Sequence, residues 1–67
     1  MKLPVNGSTQ TVQERTVAEL VERVAPGRTA RGTAVALNGE VVPRGEWQTA
    51  PLKEGDRIEV LHAIGGG

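Results

Sequence analysis

Cysteine, phenylalanine and tyrosine are absent from this 67-residue chain, and tryptophan and histidine occur once each. Without cysteine there is no disulfide staple, no thiolate metal site and no iron–sulfur cluster, which excludes a disulfide-dense secreted mini-protein. Charge of one sign is also lacking: eight basic and eight acidic residues cancel. A nucleic-acid or membrane-surface binder carries a one-sided electrostatic footprint, so neither class is expected. No apolar run approaches the ~20 residues of a membrane span. Met1-Lys2-Leu3-Pro4 leads into no signal-peptide core, and the expected location is the cytoplasm.

Val, Leu and Ile make up 16 of the 67 residues, about 24%, above the roughly 20% level below which chains tend to stay disordered. One small domain with a thin core follows. Leu3 and Val5 alternate with polar neighbours, and Asn6-Gly7 suits the positive φ angles of a tight hairpin turn. Ser8 to Val12 reads as the return strand. Pro4 cannot donate a ladder bond, so its nitrogen either faces away from a neighbouring strand or lies at a sheet edge.

The period then changes. Val17, Leu20, Val21 and Val24 form one apolar stripe at helical spacing, and Thr16 with Glu19 fits a capping box. Glu19 and Arg23 stand four apart in the order that favours an ion pair, and Pro26-Gly27 ends the helix. Gly27 to Gly32 reads as a polar loop. Thr33 to Asn38 is a third strand with Val35 and Leu37 on one face, and Asn38-Gly39 repeats the hairpin signal before Glu40-Val41-Val42 and Pro43. Arg44 to Gln48, with Trp47, suits a short helical turn, and Leu52 anchors a further extended stretch. Glu54-Gly55-Asp56 is a turn, and Arg57 to Ala63 is the last strand, with Ile58 and Val60 on one face.

One helical stripe covers one face of one small sheet, an α+β two-layer arrangement. Hairpin, helix, hairpin and final strand suit a β-grasp: a mixed sheet of four to five strands with one main helix on one face and the first and last strands parallel in the centre. Residues 1–64 make that domain, and residues 65–67 a glycine tail.

Few side chains are equipped for catalysis. Ser8 and His62 have no spacing that brings nucleophile and base together. Glu54, Asp56 and Glu46 sit in turn contexts and read as surface carboxylates, and one imidazole with scattered carboxylates makes no metal site. Arg28, Arg31 and Arg44 lack the stacking faces that single-stranded nucleic acid requires. The glycines at 7, 27, 39 and 55 serve turns and form no phosphate-cradling loop. The protein is therefore expected to be no enzyme itself and to bind no cofactor.

Gly65-Gly66-Gly67 is different. Taken as extended chain, three residues reach about 10 Å beyond Ile64 at ~3.3–3.6 Å each. Without Cβ atoms they can thread a channel that admits only backbone, presenting the Gly67 carboxylate to another protein's interior. A carboxylate with a free pKa of roughly 3.3–3.7 is anionic at neutral pH and a poor electrophile. It needs conversion to an acyl derivative such as an adenylate, and the ATP must be handled by a partner. Immobilising three residues costs roughly 3–6 kcal/mol, so docking of the tail alone is weak and reversible, as a shuttle between enzymes requires.

Val35-Ala36-Leu37-Asn38-Gly39-Glu40-Val41-Val42-Pro43-Arg44, followed by Trp47, resembles the ThiS sulfur-carrier family of thiamine biosynthesis. So does Glu54-Gly55-Asp56-Arg57-Ile58-Glu59-Val60-Leu61 running into Gly66-Gly67. The resemblance covers essentially the whole chain and implies a ubiquitin-like β-grasp and a carrier role. It further implies that a ThiF-like enzyme adenylates the Gly67 carboxylate with ATP, and that a sulfur-donating enzyme converts it to a thiocarboxylate. A ThiG-like thiazole synthase would then take the sulfur. Gly65 and Gly66 would thread the partner's active site. Ile64 and the exposed faces of the last two strands are candidate partner contacts, with Ile64 equally placed to complete the core. A monomer with a mobile tail is expected. Three other readings stay open from the residues: a sulfur carrier for another product such as molybdopterin, a ubiquitin-like modifier joined to lysine, and a plain binding module.

Overall fold

A computed structural model describes residues 1–25 and 32–62. Among these residues five strands and one helix follow in the order β1 (Lys2–Val5), β2 (Ser8–Thr11), α1 (Val17–Val24), β3 (Thr33–Leu37), β4 (Glu40–Val42) and β5 (Ile58–His62), with a 3-10 turn at Arg44–Glu46 before β5. The sheet runs β2-β1-β5-β3-β4. The first and last strands are parallel neighbours at its centre, and the other pairings are antiparallel. This is the β-grasp arrangement expected from the element order.

Both Asn-Gly pairs make the tight turns that their chemistry suggests. Asn6 and Asn38 hold φ of 51° and 54°, and Gly7 and Gly39 follow at 85° and 88°. Left-handed backbone at two successive positions matches the twist of the flanking strands, and Asn and Gly tolerate it best. Each turn sets its register: Val5 faces Ser8 and Leu37 faces Glu40.

Proline 4 is accommodated without lying on an edge. Val12 donates its amide to the Met1 carbonyl at 2.8 Å, and Asn6 donates to Ile58 at 2.9 Å. Successive residues of a strand point their polar groups to opposite sides, so the odd residues of β1 serve β2 and the even ones face β5. The missing N–H of Pro4 therefore falls on the β5 side, where pairing is confined to Val5 opposite Ile58.

The helix starts at an extended Thr16, whose hydroxyl accepts from the Glu19 amide at 3.3 Å. Glu19 does not complete the expected box on Thr16; its Oε1 accepts from the amide of Arg15 at 2.8 Å. Thr16 is itself bridged to Pro51, and the Arg15 carbonyl takes the Leu52 amide at 2.9 Å. The stretch anchored by buried Leu52 thus forms one isolated bridge at the foot of the helix and no sixth strand. The carbonyls of Ala50 and Trp47 accept from Val17 and Ala18 at 3.0 Å each, satisfying first-turn amides that the helix leaves open. The helix ends at Val24, with the Ala25 amide on the Val21 carbonyl. Pro26, Gly27, Arg28 and Arg31 lie outside the described residues.

Leu3, Val5, Leu20, Val21, Ile58 and Val60 form the centre of the core between sheet and helix, each no more than 4% exposed. Trp47 closes one side, buried, with Nε1 donating to the Val42 carbonyl at 2.9 Å. Among the described residues no polar or charged residue is fully buried.

Arg23 pairs differently from the Glu19 partnership its spacing suggests. Its Nε reaches Glu14 Oε2 at 2.9 Å, while Glu19 is engaged at Arg15. Partial burial works to raise the Glu14 pKa, but the Arg23 hydrogen bond, backbone amides and the Arg23 charge outweigh it and hold the carboxyl below its usual 4.5. A carboxylate with a depressed folded-state pKa stabilises above its unfolded value and loses that contribution as pH falls through the folded value. We expect Glu14→Gln to lower stability at pH 7 by up to about 1 kcal/mol, because Arg23 is partly solvated. In urea unfolding followed by Trp47 fluorescence, the difference from the parent should shrink to nothing below the folded-state pKa.

Candidate functional site

The residues the sequence singles out for chemistry, Gly65, Gly66 and Gly67 with neighbouring Ile64, lie outside the described residues. What the structure describes is the strand that leads to them and how it is held. β5 has β1 on one side and β3 on the other. On the β3 side, five residue pairs run from Leu37 opposite Ile58 to Thr33 opposite His62. Beyond Leu37, Asn38 donates its amide to the Arg57 carbonyl and takes the Arg57 amide on Oδ1, each at 2.8 Å. Its Nδ2 donates to Asp56 Oδ1 at 3.0 Å.

On the other side Asn6 acts in the same way. Its amide donates to the Ile58 carbonyl at 2.9 Å, and its Oδ1 accepts from the Val60 amide at 2.8 Å. Both hairpin turns therefore close on the start of β5, each with backbone and side chain together. Sequence reasoning assigned the two asparagines only to their turns. The Asn-Gly signal is local, whereas Asn6 and Val60 stand 54 residues apart.

The acidic residues serve the same region. Asp56 Oδ2 accepts from the Lys53 amide at 2.8 Å, and Glu54 Oε2 from the Lys2 amide at 3.1 Å. Two of the carboxylates read as surface groups thus brace the turn before β5, while Glu46 is exposed. Ser8 and His62 are not brought together. Ser8 faces Val5, Val5 faces Ile58, and His62 lies four residues farther on. Two strand spacings of roughly 4.8 Å and a rise of roughly 3.3 Å per residue separate them by about 16 Å. Among the described residues no group of three or more His, Asp or Glu could hold a metal, and no helix is long and apolar enough to cross a membrane.

The sheet face away from the helix carries the large exposed apolar side chains. Val41 on β4 is 74% exposed and Leu61 on β5 is 63% exposed. Ala36 pairs with Val41 and Ala34 with Leu61, so small side chains on β3 join the two. This is the exposed face of the last two strands that the sequence points to.

β5 is thus clasped at its start from both sides, and comparison with known proteins decides the family. The model of the ThiS family matches residues 4–67. The chain belongs to the ThiS family. The sulfur carrier protein ThiS of Escherichia coli (strain K12) is 34% identical over 58 residues, covering 87% of this chain and 85% of that protein. The crystal structure of the thiamine biosynthesis protein ThiS from Geobacter metallireducens matches with a TM-score of 0.80 and 37% identity over 100% of both chains. This ThiS-family chain is also 37% identical over 67 residues to a thiazole synthase of Magnetococcus marinus, covering all of itself but 20% of that protein.

The clasp can be separated from the turn. Asn6→Gly keeps the left-handed φ and removes the acceptor for the partly buried Val60 amide. It should cost about 1–3 kcal/mol in urea unfolding and speed amide exchange at Val60 more than at Val35.

Proposed function

We propose that the chain works as the sulfur carrier of thiamine thiazole formation, with the Gly67 carboxylate as the group that is activated and loaded. The observation that carries this reading is the likeness in sequence to a sulfur carrier protein over 87% of this chain and in fold to a thiamine biosynthesis protein over all of it, taken with a family match that runs through residue 67. In this reading an enzyme of the ThiF type transfers the adenylyl group of ATP to the Gly67 carboxylate and releases pyrophosphate. Hydrosulfide supplied by a sulfur-donating enzyme then attacks the acyl carbon, forming the C–S bond as the C–O bond to AMP breaks, and leaves a thiocarboxylate.

The sulfur passes to a thiazole synthase of the ThiG type. Support for that recipient comes from the thiazole synthase whose sequence includes a segment alike over the whole length of this chain. The carrier domain itself contributes presentation. The clasp holds the start of β5 in the sheet, and Gly65 and Gly66 offer backbone without side chains to a narrow channel. Ile64 and the Val41–Leu61 face are the surfaces assigned to partner contact.

Intact mass spectrometry after incubation with a ThiF-type enzyme, ATP and a sulfur source tests the reading. The expected products are an adenylate and then a species in which one oxygen is replaced by sulfur, both localised to Gly67. Attachment to lysine side chains of other proteins would identify a modifier instead. Gly66→Val should leave the fold unchanged by circular dichroism and reduce adenylation at least tenfold, because a branched side chain obstructs a channel shaped for backbone. Normal reaction of that variant would refute the narrow channel.

A further inference from the structure

β1 and β5 are parallel but staggered. Their pairing is confined to Val5 opposite Ile58, after which β1 turns away at Asn6-Gly7 while β5 continues to His62. The C-terminal half of β5 is therefore flanked by β3 on one side only. Which backbone groups are left open follows from the alternation along the strand. Asn38 bonds the Arg57 carbonyl, so residues 57, 59 and 61 direct their polar groups to β3. Asn6 takes the Val60 amide and donates to the Ile58 carbonyl, so residues 58, 60 and 62 direct theirs to the other side.

Asn6 thus spans Glu59 as a residue of a parallel strand would, with Oδ1 in place of a backbone carbonyl. In a parallel ladder one residue bonds the carbonyl before and the amide after the residue it faces. The next such pair on this edge is the Val60 carbonyl and the His62 amide, which flank Leu61. No strand of the sheet pairs with β5 at these two groups, since β1 meets β5 only at Val5 opposite Ile58. Leu61, 63% exposed, stands between them on the sheet face away from the helix.

We infer that this edge is a docking register, in which an extended segment of the thiazole synthase adds to β5 in parallel, one of its residues bonding both the Val60 carbonyl and the His62 amide. The inference rests on the functional reading above, which makes the synthase the recipient, and it adds where the backbone is gripped. Three features favour an extended polypeptide as the occupant. The two groups are one donor and one acceptor at strand spacing, which another backbone complements and an ion does not. The edge runs on from β1 and ends where the chain proceeds to the residues that enter the partner. Leu61 supplies an apolar contact beside the two bonds, as side chains do in β-strand addition. Asn6 sets the register by occupying the preceding position, so a docking segment starts at Leu61 and cannot slide toward Glu59.

His62→Pro isolates the donor, because the His62 amide faces the open edge and proline is tolerated at sheet edges. His62→Ala controls for the side chain. The affinity of each full-length variant for a ThiG-type thiazole synthase is measured by calorimetry, with the melting temperature of each variant. His62→Pro is expected to melt like the parent and bind about tenfold more weakly, the loss of one backbone hydrogen bond. His62→Ala is expected to bind like the parent. Unchanged affinity of His62→Pro, or an equal loss in His62→Ala, overturns the inference. Amide exchange in the wild-type complex decides independently if His62→Pro fails to fold: His62 N–H should slow at least tenfold on binding, and no change overturns the proposal. Absence of any binding by the wild-type protein refutes the synthase as recipient and the register with it, whereas binding without dependence on the His62 amide refutes the register alone.

Discussion

Two asparagine side chains hold β5, the middle strand of the sheet. β5 enters the sheet between Asn38 and Asn6, which take the amides of Arg57 and Val60 on their Oδ1 atoms at 2.8 Å. A central strand that pairs with β1 at one position only would otherwise be weakly registered on that side. Each asparagine sits in left-handed backbone, which it tolerates better than most residues, and each uses its side chain where a strand would use a carbonyl. The hairpin turns are thereby both ends of their own hairpins and clamps on a third strand.

The rest of the core is arranged around that strand. Ile58 and Val60 face inward against Leu20 and Val21 of the helix, all four buried. Residues 47–52 bind the helix start from the other side: Trp47 and Ala50 supply carbonyls to its first amides, and Leu52 donates to Arg15. Trp47 is anchored in turn to β4 through the Val42 carbonyl. A long connection without a sixth strand is held by the helix N-terminus and by one aromatic side chain, which lets a chain of this size close its core without disulfides.

This division of labour suits a carrier. The inner face of the sheet is committed to the helix, the outer face keeps Val41 and Leu61 exposed, and the last strand runs past the end of its parallel neighbour. Among the described residues the carboxylates of Asp56 and Glu54 brace turns, and none joins a group of three or more that could hold a metal.

The sequence by itself determined the elements. Asn-Gly turn chemistry, the Val17–Leu20–Val21–Val24 stripe and the alternation of Ile58 and Val60 act within a few residues, so spacing alone reveals them. The element order then pointed to the β-grasp, and the motifs around Val35–Arg44 and Glu54–Leu61 to the family. Only the tertiary structure decided which groups meet across the chain. Glu19 turned to the Arg15 amide, and Arg23 to Glu14. Thr16 bridged Pro51, and Asn6 reached Val60 across 54 residues. Helical spacing places Glu19 beside Arg23, but it carries no information about competing partners in the non-helical stretch before Thr16, here Arg15 and Glu14. Pro51 and Val60 reach Thr16 and Asn6 only when the chain folds back on itself, so the clasp on β5 and the edge beyond it became visible only in the folded molecule.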